Sequence, residues 1–248
     1  MVERTGDGDP ARVVPLLWEQ GGRVGRSGLT LEGVVAAGIG LADEVGIGQL
    51  TVRNVAQRLG VGAMTLYSYV PGKAELLDLM VDKVFAEVTY PEQVEGGWRE
   101  GLVAVADRNW ELLVHHTWLV DVDTARPPLG PGVMAKYDAE LAPLVGSGLD
   151  DVEVDQALSL VLNHVWSSAR QSLMLDRRAA GGGGDAEWWR QAGPMLAGRV
   201  VPERYPNATA IGEAAGQAYG AATDPRRAYA FGLRTILDGI EALIARRP

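Results

Sequence analysis

The 248-residue chain has no cysteine, which excludes a disulfide framework, a thiolate metal site and a Cys nucleophile. With three histidines it has little for metal chemistry, and no metal or cofactor is expected. His115, His116, Asp121 and Asp123 lie close in sequence, but adjacent His side chains diverge on a helix, and a solvated helix end explains the acids. No uncharged run reaches the roughly 18 residues needed to cross a bilayer, and the acidic N-terminal stretch lacks the apolar core of an export signal. A cytoplasmic protein without membrane association is expected. A nucleophile elbow, a Gly-rich phosphate loop and a clear carboxylate pair are all missing, which argues against an enzyme. Lysine is rare, at 3 of the 23 basic residues, and two Phe stand against seven Trp.

What remains is globular in kind: 47% apolar and 22% charged residues exclude disordered and collagen-like classes. The net charge of −9 hides an asymmetry. Residues 23–73 carry Arg23, Arg26, Arg53, Arg58 and Lys73 against Glu32, Asp43 and Glu44, so this segment alone is positive. An acidic protein can still turn one basic segment toward phosphate.

Apolar spacing is helical throughout and no strand-like alternation persists, so the expected fold is all-α, with a small N-terminal helical unit and a larger C-terminal bundle. Residues 1–26 read as a flexible arm with at most a short turn around Val14 to Trp18. Residues 27–73 read as the first domain, with a connecting helix starting over 73–89, and residues 90–248 as the second. Thr30 caps a first helix that stops at Gly46, Thr51 caps a short one that turns at Gly60, and a third runs from Ala63 to Tyr69. Further helices are expected over 97–114, 131–145, 151–178 and 224–246, with a loop over 179–186 at the run Gly181 to Gly184 and a weaker stretch around Trp188 and Trp189.

Leu50 to Lys73 reads as two short helices joined at Gly60-Val61, the helix-turn-helix pattern. Small Ala56 permits a close crossing, while Val61, Leu66 and Val70 fill the core and leave one face of the second helix free for a major groove. A structural αα-corner has the same local pattern. From Leu31 through Leu77 the chain resembles the N-terminal domain of the tetracycline-repressor family: Thr51 and Arg53, then VAQRLGV over Val55 to Val61, TLYSYV over Thr65 to Val70, Lys73, and Leu76-Leu77 follow in the family's order. Beyond this the match is looser, through Trp98 and the ARPP segment at Ala125 to Pro128.

The resemblance implies a homodimeric, ligand-responsive regulator, mostly of the repressor kind, on a palindromic double-stranded operator. It also implies phosphate contacts from Thr51, Tyr67 and Lys73 and a base contact from Arg53. These roles suit the chemistry: hydroxyls and an ammonium donate to phosphate, and Arg can grip guanine O6 and N7. Ala63, Met64, Thr65, Ser68 and Tyr69 complete the candidate DNA face, Ala63 and Met64 toward thymine methyls, with Arg23 or Arg26 for a minor groove.

For the effector, a small hydrophobic or aromatic molecule, the candidates are Trp110, His116, Met134, Tyr137, Asn163, Trp166, Arg170, Met174, Trp188 and Trp189. Asn163, Trp166, Arg170 and Met174 recur at three- and four-residue spacing, so one helix face would gather amide, indole, guanidinium and thioether groups. Core packing with polar tips at the surface is the alternative. The stripes Leu233, Leu237, Ile240, Ile244 and Leu158, Val161, Leu162, Val165 would form the four-helix dimer interface the resemblance implies, or ordinary core. Control by a protein partner, without a pocket, is the rival to a small-molecule effector.

Overall fold

A computed structural model describes residues 3–18, 28–90 and 96–246. The architecture is all-α, with β1 (Glu3–Arg4) followed by α1 (Pro10–Trp18), α2 (Leu31–Val45), α3 (Val52–Arg58), α4 (Ala63–Tyr67) and α5 (Lys73–Phe85). The second part holds α6 (Trp98–His115), β2 (Val122–Asp123), α7 (Pro131–Leu141), α8 (Asp151–Ala180), α9 (Asp185–Ala197), α10 (Pro206–Tyr219) and α11 (Pro225–Ile244).

The first helices begin and end where short-range signals place them. The Thr30 hydroxyl oxygen accepts from the Gly33 N–H at the start of α2, and Thr51 accepts from Asn54 at the start of α3. Gly60 turns the chain between α3 and α4 at φ +68°, a conformation that favours a residue without Cβ. Val55, Ala56, Leu66 and Val70 are buried beneath the turn. α5 is the shared helix: Leu76, Leu77, Met80, Val81 and Val84 are buried, and it packs on α1 and α2 on one side and α7 on the other. Gly38 of α2 allows that closeness, since a Cβ there would stand 2.8 Å from the Met80 sulfur. α8 opens with a capping box between Asp150 and Glu153 and packs on α6 and α11.

Three expectations need correction. The arm expected to be flexible over 1–26 is ordered from 3 to 18: Val13 and Leu17, one helical turn apart, are buried against the body, and Trp18 donates to the Leu129 carbonyl at 2.7 Å. Pro10 sits at the first position of α1, where a missing N–H costs nothing. Arg23 and Arg26 lie outside the described residues. One strand pairing accompanies the helices, two residues long and parallel, with Glu3 opposite Val122 and Arg4 opposite Asp123. The helix expected over 131–145 closes as a 3₁₀ turn at Ala142–Leu144, and α8 continues to Ala180 before a loop of only four residues. Helices α9 and α10 form a hairpin with no buried residue, and α10 had no sequence signal.

Candidate DNA-binding face and effector domain

The turn between α3 and α4 presents Thr51, Arg53, Met64, Tyr67 and Ser68 to solvent, with Ala63, Thr65, Tyr69 and Lys73 half-buried around them. Met64 is 81% exposed, far more than a thioether needs for solubility or packing. The Arg53 guanidinium is exposed and has no hydrogen-bond or ion-pair partner among the described residues, whereas Arg58, at the end of the same helix, is held by Glu44 at 2.5 and 2.7 Å. Arg58 therefore ties α3 to α2, and Arg53 stays available.

The polar candidates differ in their engagement. Thr51 accepts as the cap of α3 and keeps its own hydrogen to donate. Ser68 donates to the Thr65 carbonyl at 2.6 Å, and Tyr69 donates to the Leu29 carbonyl at 3.0 Å while its ring packs on the core. The Tyr69 side chain is thus committed to the fold. Lys73 is paired with Glu3 at 2.7 Å.

The ten effector candidates are not gathered into one wall. α8 buries Val154, Ala157, Leu158, Val161, Val165, Ser168, Ala169, Ser172 and Leu173, so the exposed Asn163, Arg170 and Met174 lie on its outer face. Trp166 is half-buried, with its ring edge-to-face against Phe85 at 6.5 Å. Met134 and Tyr137 are exposed on α7, the Tyr137 hydroxyl donating to Asp155 at 2.7 Å. Trp188 is exposed, and Trp189 lies between Gly193 and Gly216, where added Cβ atoms would come within 3.3 and 3.0 Å of the indole. The hairpin of α9 and α10 encloses an apolar cleft of about 850 Å³ there.

Trp110 does line a cavity. About 870 Å³ opens between the C-terminal end of α5, α6 and the start of α11, walled by Glu87, Val88, Asp107, Trp110, Glu111, His115, Arg226 and Tyr229 among others. The Trp110 and Tyr229 rings stand 4.6 Å apart at 39°. Burial, and then the neighbouring Glu111, raises the Asp107 carboxyl above its ordinary range. Burial, with the Asp107 charge next, pushes the Tyr229 phenol up to about 12.

His116 points elsewhere. It is 3% exposed, with Nδ1 2.8 Å from the Asp43 carboxylate of α2 and Nε2 3.0 Å from the Glu87 carboxylate of the cavity wall. The Trp118 indole N–H also donates to Asp43, at 2.9 Å. One side chain therefore joins the cavity rim to the last turn of the first helix of the DNA-binding unit.

A second polar cluster inside the bundle has no local sequence signal. Glu140, 2% exposed, accepts from Lys136 at 2.5 Å, from Asn109 at 2.6 Å and from the Tyr90 hydroxyl at 2.6 Å. Lys136 also sits over the Phe85 ring at 5.1 Å. Burial pulls the Lys136 ammonium below its ordinary range against the opposing effect of Glu140, and burial together with Glu140 drives the Tyr90 phenol far up. Lys136 and Glu140 are four residues apart, the spacing of a surface ion pair on a helix, and only their burial distinguishes them. Among the described residues no group of three or more His, Asp and Glu could hold a metal ion, and no helix is long and apolar enough to cross a membrane.

Comparison with known proteins agrees with this layout. Residues 34–80 match the family described as bacterial regulatory proteins of the tetR family, and residues 90–244 match the tetracyclin repressor-like C-terminal domain. The HTH-type transcriptional repressor DrrR1 of Streptomyces coeruleorubidus is 40% identical over 252 residues, covering 99% of this chain and 90% of the relative. An HTH-type transcriptional regulator of Saccharopolyspora erythraea is 34% identical over 140 residues, 56% of this chain and 59% of that one. Among solved structures, the Streptomyces coelicolor TetR family protein ActR in complex with actinorhodin superposes with a TM-score of 0.73 at 26% identity, covering 87% of this chain and 98% of that one. Its complex with (S)-DNPA gives a TM-score of 0.71 at 25% identity, with 86% and 98% covered.

Proposed function

The chain belongs to the tetracycline-repressor family of transcriptional repressors, which are regulators and not enzymes, and from that premise we propose that it binds a palindromic operator as a homodimer and is released by a small hydrophobic or aromatic molecule. Residues 27–73 form the DNA-binding domain, with Arg53 reading a base, Thr51, Tyr67 and Lys73 holding phosphates, and Ala63, Met64, Thr65 and Ser68 lying at the groove. Residues 90–248 carry effector binding and dimerisation.

The observation that carries the effector reading is the shared Glu87: it lines the cavity beside Trp110 and also holds His116, which holds Asp43 of α2. A molecule lodged against Trp110 and Tyr229 in this cavity therefore acts on the same side chains that seat the DNA-binding unit. Cavities of this size are large enough for a drug-sized ligand, which favours a small effector over control by a protein partner. That ActR holds actinorhodin or (S)-DNPA supports the same class.

The dimer rests on a different face from the stripe expected. Leu233, Leu237 and Ile240 are buried within the protomer, where α11 packs on α8. Leu160 and Met174 of α8 and Phe231 and Leu243 of α11 remain exposed, and with Asn163 and Arg170 they make the face that meets a second copy.

The test is linkage. Effector titrated against intrinsic fluorescence should quench Trp110 and weaken operator binding, and saturating operator should weaken effector binding by the same factor. Ligand and DNA binding without mutual effect would end the ligand-released reading.

A further inference from the structure

Residues 3–18 form a strap, and its ion pair from Glu3 to Lys73 falls at the edge of the DNA-binding face. We propose that this strap is a built-in competitor of DNA: Glu3 holds the Lys73 ammonium in the place of a backbone phosphate and so lowers the grip of the repressor on any duplex. The inference rests on the reading of Lys73 as a phosphate contact.

A carboxylate on a loose terminus would do little, because an exposed pair must order two mobile side chains to gain a small Coulomb energy. Glu3 is held otherwise. It lies in β1, paired with β2 of the effector domain, and Thr5 beside it is 2% exposed. The Thr5 hydroxyl donates to the Arg126 carbonyl at 2.6 Å, and the Thr5 N–H to the Asp123 carbonyl at 3.0 Å. The next residue, Gly6, has φ +71° and donates its N–H to the buried Asp78 of α5 at 2.9 Å; a Cβ there would meet that of Arg126 at 2.8 Å. The ordering that an exposed pair lacks is thus supplied by the strap. The Glu3 and Lys73 side chains are reduced to 25% and 32% exposure, which also lessens screening.

Lys73 is the first residue of α5, directly after the helix-turn-helix, so a phosphate that takes its ammonium must displace Glu3. The exchange changes the ion count. DNA gives up one condensed cation to each ammonium that contacts it, but the released Glu3 carboxylate recovers a cation from solution, so the pair conceals one contact from the salt dependence. Because β1 hangs on β2, the place of Glu3 is set by the effector domain rather than by the DNA-binding unit.

The experiment measures binding of the full chain, with any affinity tag at the carboxyl end, to a random-sequence duplex over a series of salt concentrations. A phosphate contact is indifferent to sequence, so the operator is not required. Glu3→Gln is expected to bind about two- to fivefold more tightly per protomer, with the salt slope steeper by about 1 per protomer. Lys73→Ala should weaken binding with the parent's slope nearly unchanged, because the pair already conceals that contact, whereas adding it to Glu3→Gln should flatten the slope by about 1 per protomer. With Lys73→Ala already present, Glu3→Gln should change neither quantity. If Glu3→Gln binds no better than the parent while Lys73→Ala still weakens, the competitor is overturned and the phosphate role of Lys73 stands. If the gain persists without Lys73, Glu3 acts by general repulsion, and the proposal also fails. If Lys73→Ala has no effect, the underlying phosphate reading falls and takes the inference with it.

Discussion

In the DNA-binding unit the interior is aliphatic and the charges stay outside: Val34, Val35, Leu50, Val55 and Leu66 are buried, while Arg58 and Glu44 pair at the surface. The effector domain places polar and charged side chains inside, with Lys136 at 7% exposure, Glu140 at 2%, His116 at 3% and Asn109 at 1%. An apolar core holds one arrangement whatever binds nearby. A buried polar network is stable only while every member is satisfied, so a ligand that competes for one of its hydrogen bonds forces a rearrangement. On the proposed function, the first region presents side chains unchanged and the second is the one a ligand resets.

The largest expected effect tests that contrast at its centre. Glu140→Ala leaves the Lys136 ammonium buried without its carboxylate, and should cost about 3 to 5 kcal/mol in urea unfolding. Replacing both, as Lys136→Met with Glu140→Leu, should recover most of this and could exceed the parent, because no uncompensated charge remains. Should the double variant be as unstable as Glu140→Ala, the cluster would be a packing requirement rather than an electrostatic one.

Next in size is the presenting surface. Arg53→Ala should cost about 1 to 3 kcal/mol on the operator and relax preference at one position per half-site, with little change on scrambled duplex or in the melting temperature. An equal loss on both duplexes would make Arg53 a phosphate contact. A loss of stability would place Arg53 in the fold, contrary to its exposed guanidinium, which has no partner among the described residues.

The contrast also decides what the sequence could disclose. Thr51, Gly60, Ala56 and Leu66 act on neighbours within a few residues, so the pattern of α3 and α4 is written locally. Thr5 is legible only through Arg126, and Asp43 only through His116 and Trp118, partners more than seventy residues away. On α8 the periodicity showed two faces, and nothing local told which was inside. The stripe of Asn163, Arg170 and Met174 is exposed, and the small and aliphatic face of Val161, Val165, Ala169 and Ser172 is the one that packs. Tyr229, Asp107 and Glu111 carry no local signal, because the cavity they share draws on two helices far apart in the chain.

A smaller effect probes α5, which belongs to both regions. Burial raises the Asp78 carboxyl above its ordinary value of 3.8, outweighing the Gly6 N–H that favours its charged form. A group whose native value is raised gives its full stabilisation below the unfolded value and loses it as pH rises through the native value. Asp78→Asn keeps an acceptor for Gly6 and removes the titration. The variant should therefore gain stability relative to the parent as pH climbs from below 3.8 into the neutral range, read from paired denaturant melts. A parent that gains on the variant over that interval would reverse the sign and mean that the Asp78 charge is favourably solvated.

The smallest effect is a required null on the outer surface of α7. Met134 and Tyr137 were expected to line the effector site, yet they are 52% and 39% exposed, and Tyr137 donates only to the surface Asp155. A single hydrogen bond in water exchanges for one with solvent, so Tyr137→Phe should shift stability by less than about 0.5 kcal/mol, and Met134→Ala by no more. Neither should change effector affinity, whereas Trp110→Leu, at the cavity wall, should. Calorimetric titration of the three variants with the same effector makes the comparison direct. If Tyr137→Phe weakened the effector as much as Trp110→Leu, the ligand would lie against α7, the Glu87–His116–Asp43 route would lose its starting point, and the region built to be reset would have to be sought around Lys136 instead.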